Sequence, residues 1–159
     1  MKLTTRQDIE APMDFVFAQL TDFDQFERMA MRRGAEIERV DRLTQPGPGM
    51  AWRLKFRWRG KARNLVLRYT EGEPGSHLSY GVEGDAILGA VRVDLMALAP
   101  KRTRLTIQGE VKPKTLAARL VLQSFRLARG RMLKRVDGAA GKLAVLIEDK
   151  FRGGSALPR

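Results

Sequence analysis

The chain contains no cysteine and a single histidine, His77, in 159 residues. Thiol nucleophiles, thiolate metal sites and disulfides are thereby excluded, and multi-histidine chemistry has no ligands to work with. Apolar runs are short. The best, Ala86–Val91, is stopped by Arg92 and Asp94, far below the ~18 residues that a membrane span needs. Met1–Pro12 is polar and alternating and lacks the apolar core of a secretory signal, so a cytoplasmic location is the expectation. Proline is sparse too, at seven residues, and a hydrophobic content of 43% suits a folded chain. One domain of this length buries a core without disulfide or metal staples.

Acidic residues are the remaining scarcity. Thirty Lys and Arg stand against eighteen Asp and Glu, a formal net charge of +12, and arginine supplies 21 of the 30. Residues 1–49 carry a net −2 and residues 50–159 a net +14. Two windows hold no acid at all, one between Asp41 and Glu71 and the other between Glu110 and Asp137. Concentrated positive charge attracts polyanions such as nucleic acid or anionic lipid. An arginine-rich solubilising surface is the alternative reading.

What is present is strong periodicity. Leu3, Thr5, Gln7 and Ile9 alternate with charged and polar neighbours as in a strand. Pro12 then opens a helical stretch with Phe15, Val16, Leu20 and Phe23 as its apolar side. Asp22 and Asp24 sit at a break, where Asp24 is suited to cap a second short helix; read as a metal pair they lack further ligands. After Gly34 six strand-like segments follow, Ala35–Leu43, Met50–Arg59, Lys61–Thr70, Ser79–Val82, Ala86–Ala99 and Thr103–Val111, joined by turn-rich stretches such as TQPGPG and EGEPGS. The clearest is Met50–Arg59. Trp52, Leu54, Phe56 and Trp58 share one face, and Arg53, Lys55, Arg57 and Arg59 share the other. From Thr115 the period becomes 3.6, with Val121, Phe125, Ala128, Met132, Val136, Ala139, Leu143 and Ile147 in one stripe. Gly130, Gly138 and Gly141 interrupt this helix at about 1 kcal/mol each relative to Ala. They mark a break, or they thin the helix and leave room against the sheet.

Three stretches carry a resemblance to a known family. IEAPMDFVFAQLTDFDQFERM (Ile9–Met29) resembles its strand end, Ala-Pro and paired helices; VDLMALAPKRTRLTIQGEV (Val93–Val111) resembles its penultimate hairpin; the third is the closing helix. The family is the helix-grip superfamily, the START-like and polyketide cyclase/dehydrase/lipid-transport (SRPBCC) proteins, which include the birch pollen allergen fold. The resemblance implies an α+β helix-grip fold, a curved antiparallel sheet of about seven strands in β-α-α-β6-α order around a long C-terminal helix. It also implies a single domain over residues 1–152, with 153–159 as a flexible tail. Its motifs are structural and almost silent on chemistry.

Members of that family typically hold an apolar ligand between sheet and C-terminal helix, which implies binding or transport of a lipid, quinone or polyketide-like molecule. On the registers above, Trp52, Phe56, Trp58, Tyr69, Phe125 and Met132 face that interior, and Tyr80 joins Tyr69 as a hydrogen-bond donor for a carbonyl; the competing reading is ordinary core. Phe15, Phe23 and Phe26 on the short helices are candidates to gate an entrance. Some family members are cyclases or aromatases, so an enzyme acting on a polyketide-like substrate is the first alternative. No catalytic residue stands out, no metal or cofactor motif is present, and His77 follows a turn as a surface histidine would. RNA, ribosome or anionic-membrane association through Arg53, Lys55, Arg57 and Arg59 is the second alternative. RNA binders usually interleave exposed aromatics with the charge, whereas these tryptophans lie on the opposite face.

Overall fold

The computed structural model of the chain describes residues 1–73 and 75–156, with side chains as far as 153. β1 (Lys2–Ile9) leads through Pro12 into α1 (Met13–Leu20) and α2 (Phe23–Arg32). Six strands follow: β2 (Glu36–Arg39), β3 (Ala51–Trp58), β4 (Lys61–Glu73), β5 (His77–Gly84), β6 (Ile87–Ala99) and β7 (Arg102–Pro113). Two helices close the chain, α3 (Leu116–Leu127) and α4 (Arg129–Ala156). All seven strands form one antiparallel sheet in the order β1-β7-β6-β5-β4-β3-β2. The first strand thus pairs with the last, and β2–β7 run as the expected meander.

Local chemistry sets the registers. Arg59 and Gly60 form a two-residue turn with φ of 52° and 76°, the left-handed pair that a tight hairpin between twisted strands requires. That turn fixes Trp58 opposite Lys61, Phe56 opposite Arg63 and Leu54 opposite Leu65. Between Tyr69 and Glu71 the β4–β5 ladder shifts by a bulge. Gly72 lies under the Tyr69 phenol, where a Cβ would collide with the ring and its hydroxyl oxygen. The β2–β3 connection is tied by Asp41, whose carboxylate accepts from Arg39 Nε and NH2 at 2.7 Å and from the amides of Leu43 and Ala51 at 2.9 and 2.8 Å.

The core occupies one end of the molecule. Ile9, Val16, Met50, Leu78, Leu105 and Ile147 are almost wholly buried, with Phe23, Trp52, Tyr69, Leu95 and Ala144 beside them. Buried Thr103 joins β7 to the α1 approach by donating its hydroxyl to Ala11 O at 2.8 Å.

Three expectations are corrected. Asp22, not Asp24, caps α2, its carboxylate accepting from Gln25 N at 3.3 Å. The final helix is two helices, because α3 rests on β7 whereas α4 lies along β1 and α1. The chain tightens at Ala128, whose amide bonds Phe125 O at 3.0 Å, and helix resumes at Arg129. This break rotates the buried stripe of α4 onto Ala140, Ala144 and Ile147, leaving Ala139 exposed. α4 runs through Ala156, and near its end Phe151 packs on Phe15 at 5.2 Å and Arg152 pairs with Glu148 and Asp149. Residues 157–159 lie outside the described residues.

Two measurements check this architecture. Ile147→Ala removes the α4 side chain most deeply set in the core and should cost about 2–5 kcal/mol in urea unfolding. The Arg39 guanidinium, with the amides of Ala51 and Leu43, holds the Asp41 carboxyl well below the usual carboxylate range. A depressed folded-state pKa gives stability that is present above the unfolded value of about 3.9 and lost as pH falls below it. Asp41→Asn should therefore lower the urea midpoint at pH 7, with a gap to wild type that shrinks at pH 3.

Candidate functional site

Pairing partners in an antiparallel sheet point to the same side, so the side of the sheet that faces the helices is read strand by strand. It comprises Trp52, Leu54, Phe56 and Trp58 on β3; Lys61, Arg63, Leu65, Leu67 and Tyr69 on β4; and Leu78, Tyr80, Val82 and Gly84 on β5. It continues through Gly89, Val91, Val93 and Leu95 on β6 and Leu105, Ile107, Gly109 and Val111 on β7. The opposite side carries Arg53, Lys55 and Arg57, all exposed.

Burial along the inner side is graded. On β3, Trp52 is 5% exposed, Leu54 and Phe56 are partly buried, and Trp58 is 39% exposed. Leu65, Leu67, Tyr80, Val82 and Val91 are likewise only partly buried, although they point toward the helices. Gly109, mid-strand between Leu3 and Val91, is the most direct sign of room: a Cβ built there meets nothing within 4 Å. Native cores leave few voids larger than a water molecule. This half of the inner face is not packed as core.

The closed end is structural. Trp52 donates Nε1–H to Glu27 Oε1 at 2.8 Å, stacks near Phe23 at 5.3 Å and lies under Arg39 at 5.7 Å. Phe23 also meets Tyr69 at 6.0 Å. Phe23 is therefore core, and Phe15 packs on Phe151; neither is free to gate an entrance. Phe26 lines a recess of only about 10 Å³ with Leu143 and Ile147. Tyr69 and Tyr80 mark the boundary between packed core and open face, with ring centroids 5.4 Å apart. Neither hydroxyl has a hydrogen-bond partner among the described residues. Desolvation raises both phenol pKa values, and for Tyr80 the neighbouring Tyr69 adds to it. Both stay protonated, as hydrogen-bond donors, at neutral pH.

The open end is aromatic and cationic. Phe125 on α3 meets Trp58 edge-on at 6.2 Å. Arg59 is not on the outer face with Arg53, Lys55 and Arg57, because its left-handed turn conformation takes it off the strand. Its guanidinium lies 4.7 Å from the Trp58 ring and 5.7 Å from Phe125. Arg63, which parity puts on the inner side, lies 5.4 Å from the Trp58 ring. Counting across a two-residue Arg-Gly turn would have placed Lys61 and Arg63 inside, opposite Trp58 and Phe56. Met132 is partly buried near the start of α4.

Other candidate sites fall away. The helix glycines do leave room, but not over the aromatic face. Gly138 and Gly141 border an open cleft of about 570 Å³ between α4 and the outer part of β1, walled by Gln7, Asp8, Lys142 and Glu148. Ala144 and Val145 share its lining with the charged Asp8, Lys142 and Glu148, and none of the aromatic residues of the inner face borders it. His77 starts β5 between Glu71 and Glu73, at 3.8 and 3.9 Å, away from the inner face. Among the described residues no group of His, Asp and Glu is arranged to hold a metal, and no helix is long and apolar enough to cross a membrane.

Neither a protein-family model nor a curated protein sequence matches the chain. Solved structures do. TTHA0849 from Thermus thermophilus has a TM-score of 0.68 at 16% identity, over 92% of this chain and 97% of that one. The Zhui aromatase/cyclase from Streptomyces sp. R1128 has a TM-score of 0.66 at 16% identity, over 96% and 94%. A START superfamily protein from Mycobacterium smegmatis gives 0.56 at 14%, over 87% and 98%. The chain has the helix-grip α+β fold.

The graded face makes an energetic prediction. Trp52→Ala should cost about 3–5 kcal/mol, and Trp58→Ala much less. Tyr80→Phe removes an unpaired hydroxyl and should leave the urea midpoint unchanged or higher. These being the chain's two tyrosines, a spectrophotometric titration should show both phenols ionising above the ordinary pH of about 10, and both returning to it on unfolding.

Proposed function

We propose that the protein binds or carries an apolar small molecule of lipid, quinone or polyketide type. The site is the incompletely covered half of the sheet's inner face, beneath α3 and the start of α4. The carrying observation is Gly109. A strand interior seldom favours glycine, which has no side chain to pack, and here the missing side chain opens onto empty space on an apolar wall. Phe56, Leu65, Val82, Val91 and Phe125 supply that wall, and the partly buried Tyr80 supplies an orienting donor beside it. Ligand sites are commonly built this way, apolar with few polar groups.

The likeness to an aromatase/cyclase gives a second reading, cyclisation of a polyketide-like chain, favoured by the Tyr80 phenol, held protonated beside the open face where it could bond a carbonyl. The carboxylates Glu27 and Asp41 are already engaged, by Trp52 and by Arg39, which leaves the inner face better supplied for binding than for proton abstraction. The outer face lends less support to an RNA or membrane partner. Arg53 faces Glu38 at 3.7 Å, and the aromatics that would stack on bases point the other way.

Native mass spectrometry after mild purification should find a non-covalent apolar species on the wild-type protein. Gly109→Leu, at a position without positive φ, should fold at least as stably and lose that species. A Gly109→Leu protein that keeps its ligand, or a wild type that never retains or takes one up, would sink the proposal. Conversion of a linear polyketone thioester to a ring product, followed by chromatography, would move the assignment to the cyclase reading.

A further inference from the structure

We infer that the open end of the inner face is an anion-binding subsite, so that the ligand is an amphipath whose carboxylate or phosphate head sits among Arg59, Lys61 and Arg63. The inference rests on the apolar-ligand reading above and adds the chemistry of the other end of the molecule. Three observations carry it independently of one another.

The first is register. Lys61 and Arg63 point to the same side as Trp58 and Phe56, so two cations stand on the apolar side of the sheet at its uncovered end. Charged residues on such a face are expected only with a partner. The second is the missing partner. Ion pairs neutralise arginines elsewhere on the sheet, with Arg92 on Asp94, Arg102 on Glu10 and Arg104 on Asp8. Among the described residues none reaches Arg59, Lys61 or Arg63, and the sequence from Arg42 to Thr70 contains no acid that could. Asp85, in the β5–β6 turn at this end of the sheet, forms no ion pair with them either. The Arg63 Nε is shielded from solvent and has no hydrogen-bond partner among the described residues.

The third is orientation. Arg59 and Arg63 both lie over the Trp58 ring, at 4.7 and 5.4 Å from its centroid. Stacking on an indole face leaves the edge N–H groups of a guanidinium free, and that edge matches a carboxylate or phosphate in bidentate fashion. Two guanidinium groups on one ring concentrate positive charge at the open end of the inner face. The site therefore favours an anionic head over a neutral one on the same apolar chain.

Binding of dodecanoate, dodecyl phosphate and dodecanol, each below its micelle-forming concentration and followed by Trp fluorescence or calorimetry, tests this. Wild type should bind at least one anion about tenfold or more tightly than the alcohol, and the better of the two anions identifies the head group. Arg63→Gln should reduce that preference to about twofold or less while leaving dodecanol affinity unchanged. Arg53→Gln, which removes the same charge from the outer face, should keep the preference and so rule out a bulk charge effect. Equal binding of anions and alcohol by wild type, or an undiminished preference in Arg63→Gln, overturns the subsite while the apolar-ligand reading stands. No binding of any of the three overturns both.

Discussion

The structure depends on a mismatch of widths. Seven strands at about 4.8 Å spacing make a sheet roughly 29 Å across, while a helix with its side chains spans about 10–12 Å. The helices cannot seal such a sheet if it stays flat, so the sheet must curl, leave apolar surface open, or do both. Here it does both. Phe125 sits on a helix that rests on β7 and still reaches Trp58 on β3, four strands away in the sheet order. At the other end α1, α2 and α4 converge on Trp52, Tyr69, Leu78 and Leu105, and packing there is complete. The fold thus separates two tasks along one set of strands: stability at the end where three helices meet, and accessible apolar surface at the end beneath α3 and the start of α4.

Residues of one period serve both tasks, and this limits what a sequence conveys. Trp52 and Trp58 are six residues apart on the same face of the same strand, and nothing local distinguishes them. One is hydrogen-bonded to Glu27 of α2 and lies against Phe23, while the other meets two arginines and leaves much of its surface to solvent or ligand. Alternation made the inner face legible; only the arrival of α2 decides which part of it becomes core. The helix break at Ala128 was hidden for a related reason. A 3.6-residue stripe runs unbroken from Val121 to Ile147, yet α3 and α4 follow different strands, so the cause is tertiary. Gly130 hinted at it from two residues away.

Arg63 was readable and Arg59 was not. An Arg-Gly pair between two alternating runs is a two-residue hairpin, and counting back from it puts Arg63 beside Phe56. Arg59 has the parity of Arg57, and only the left-handed turn geometry separates the two. Composition pointed to these arginines as part of an acid-free window but could not say which side of the sheet they occupy. The register divides the window: Arg53, Lys55 and Arg57 outside, where they are exposed and Glu38 meets Arg53, and Lys61 and Arg63 inside, where no acid among the described residues pairs with them.

That division also accounts for arginine in preference to lysine at the tryptophan. A guanidinium is planar and weakly hydrated, so it covers an indole face that would otherwise lie bare to water, for about 0.5–2 kcal/mol of cation–π attraction. An ammonium keeps its hydration shell and covers less. Arg59 and Arg63 therefore substitute for the core that the sheet's width denies to Trp58, while their unstacked edges remain available. In this fold the side chains that make an uncovered aromatic tolerable in the empty protein are also those best placed to receive an anion when the groove is filled. Stability and recognition then draw on the same residues at the open end, whereas at the closed end Trp52, Phe23 and Glu27 serve stability alone.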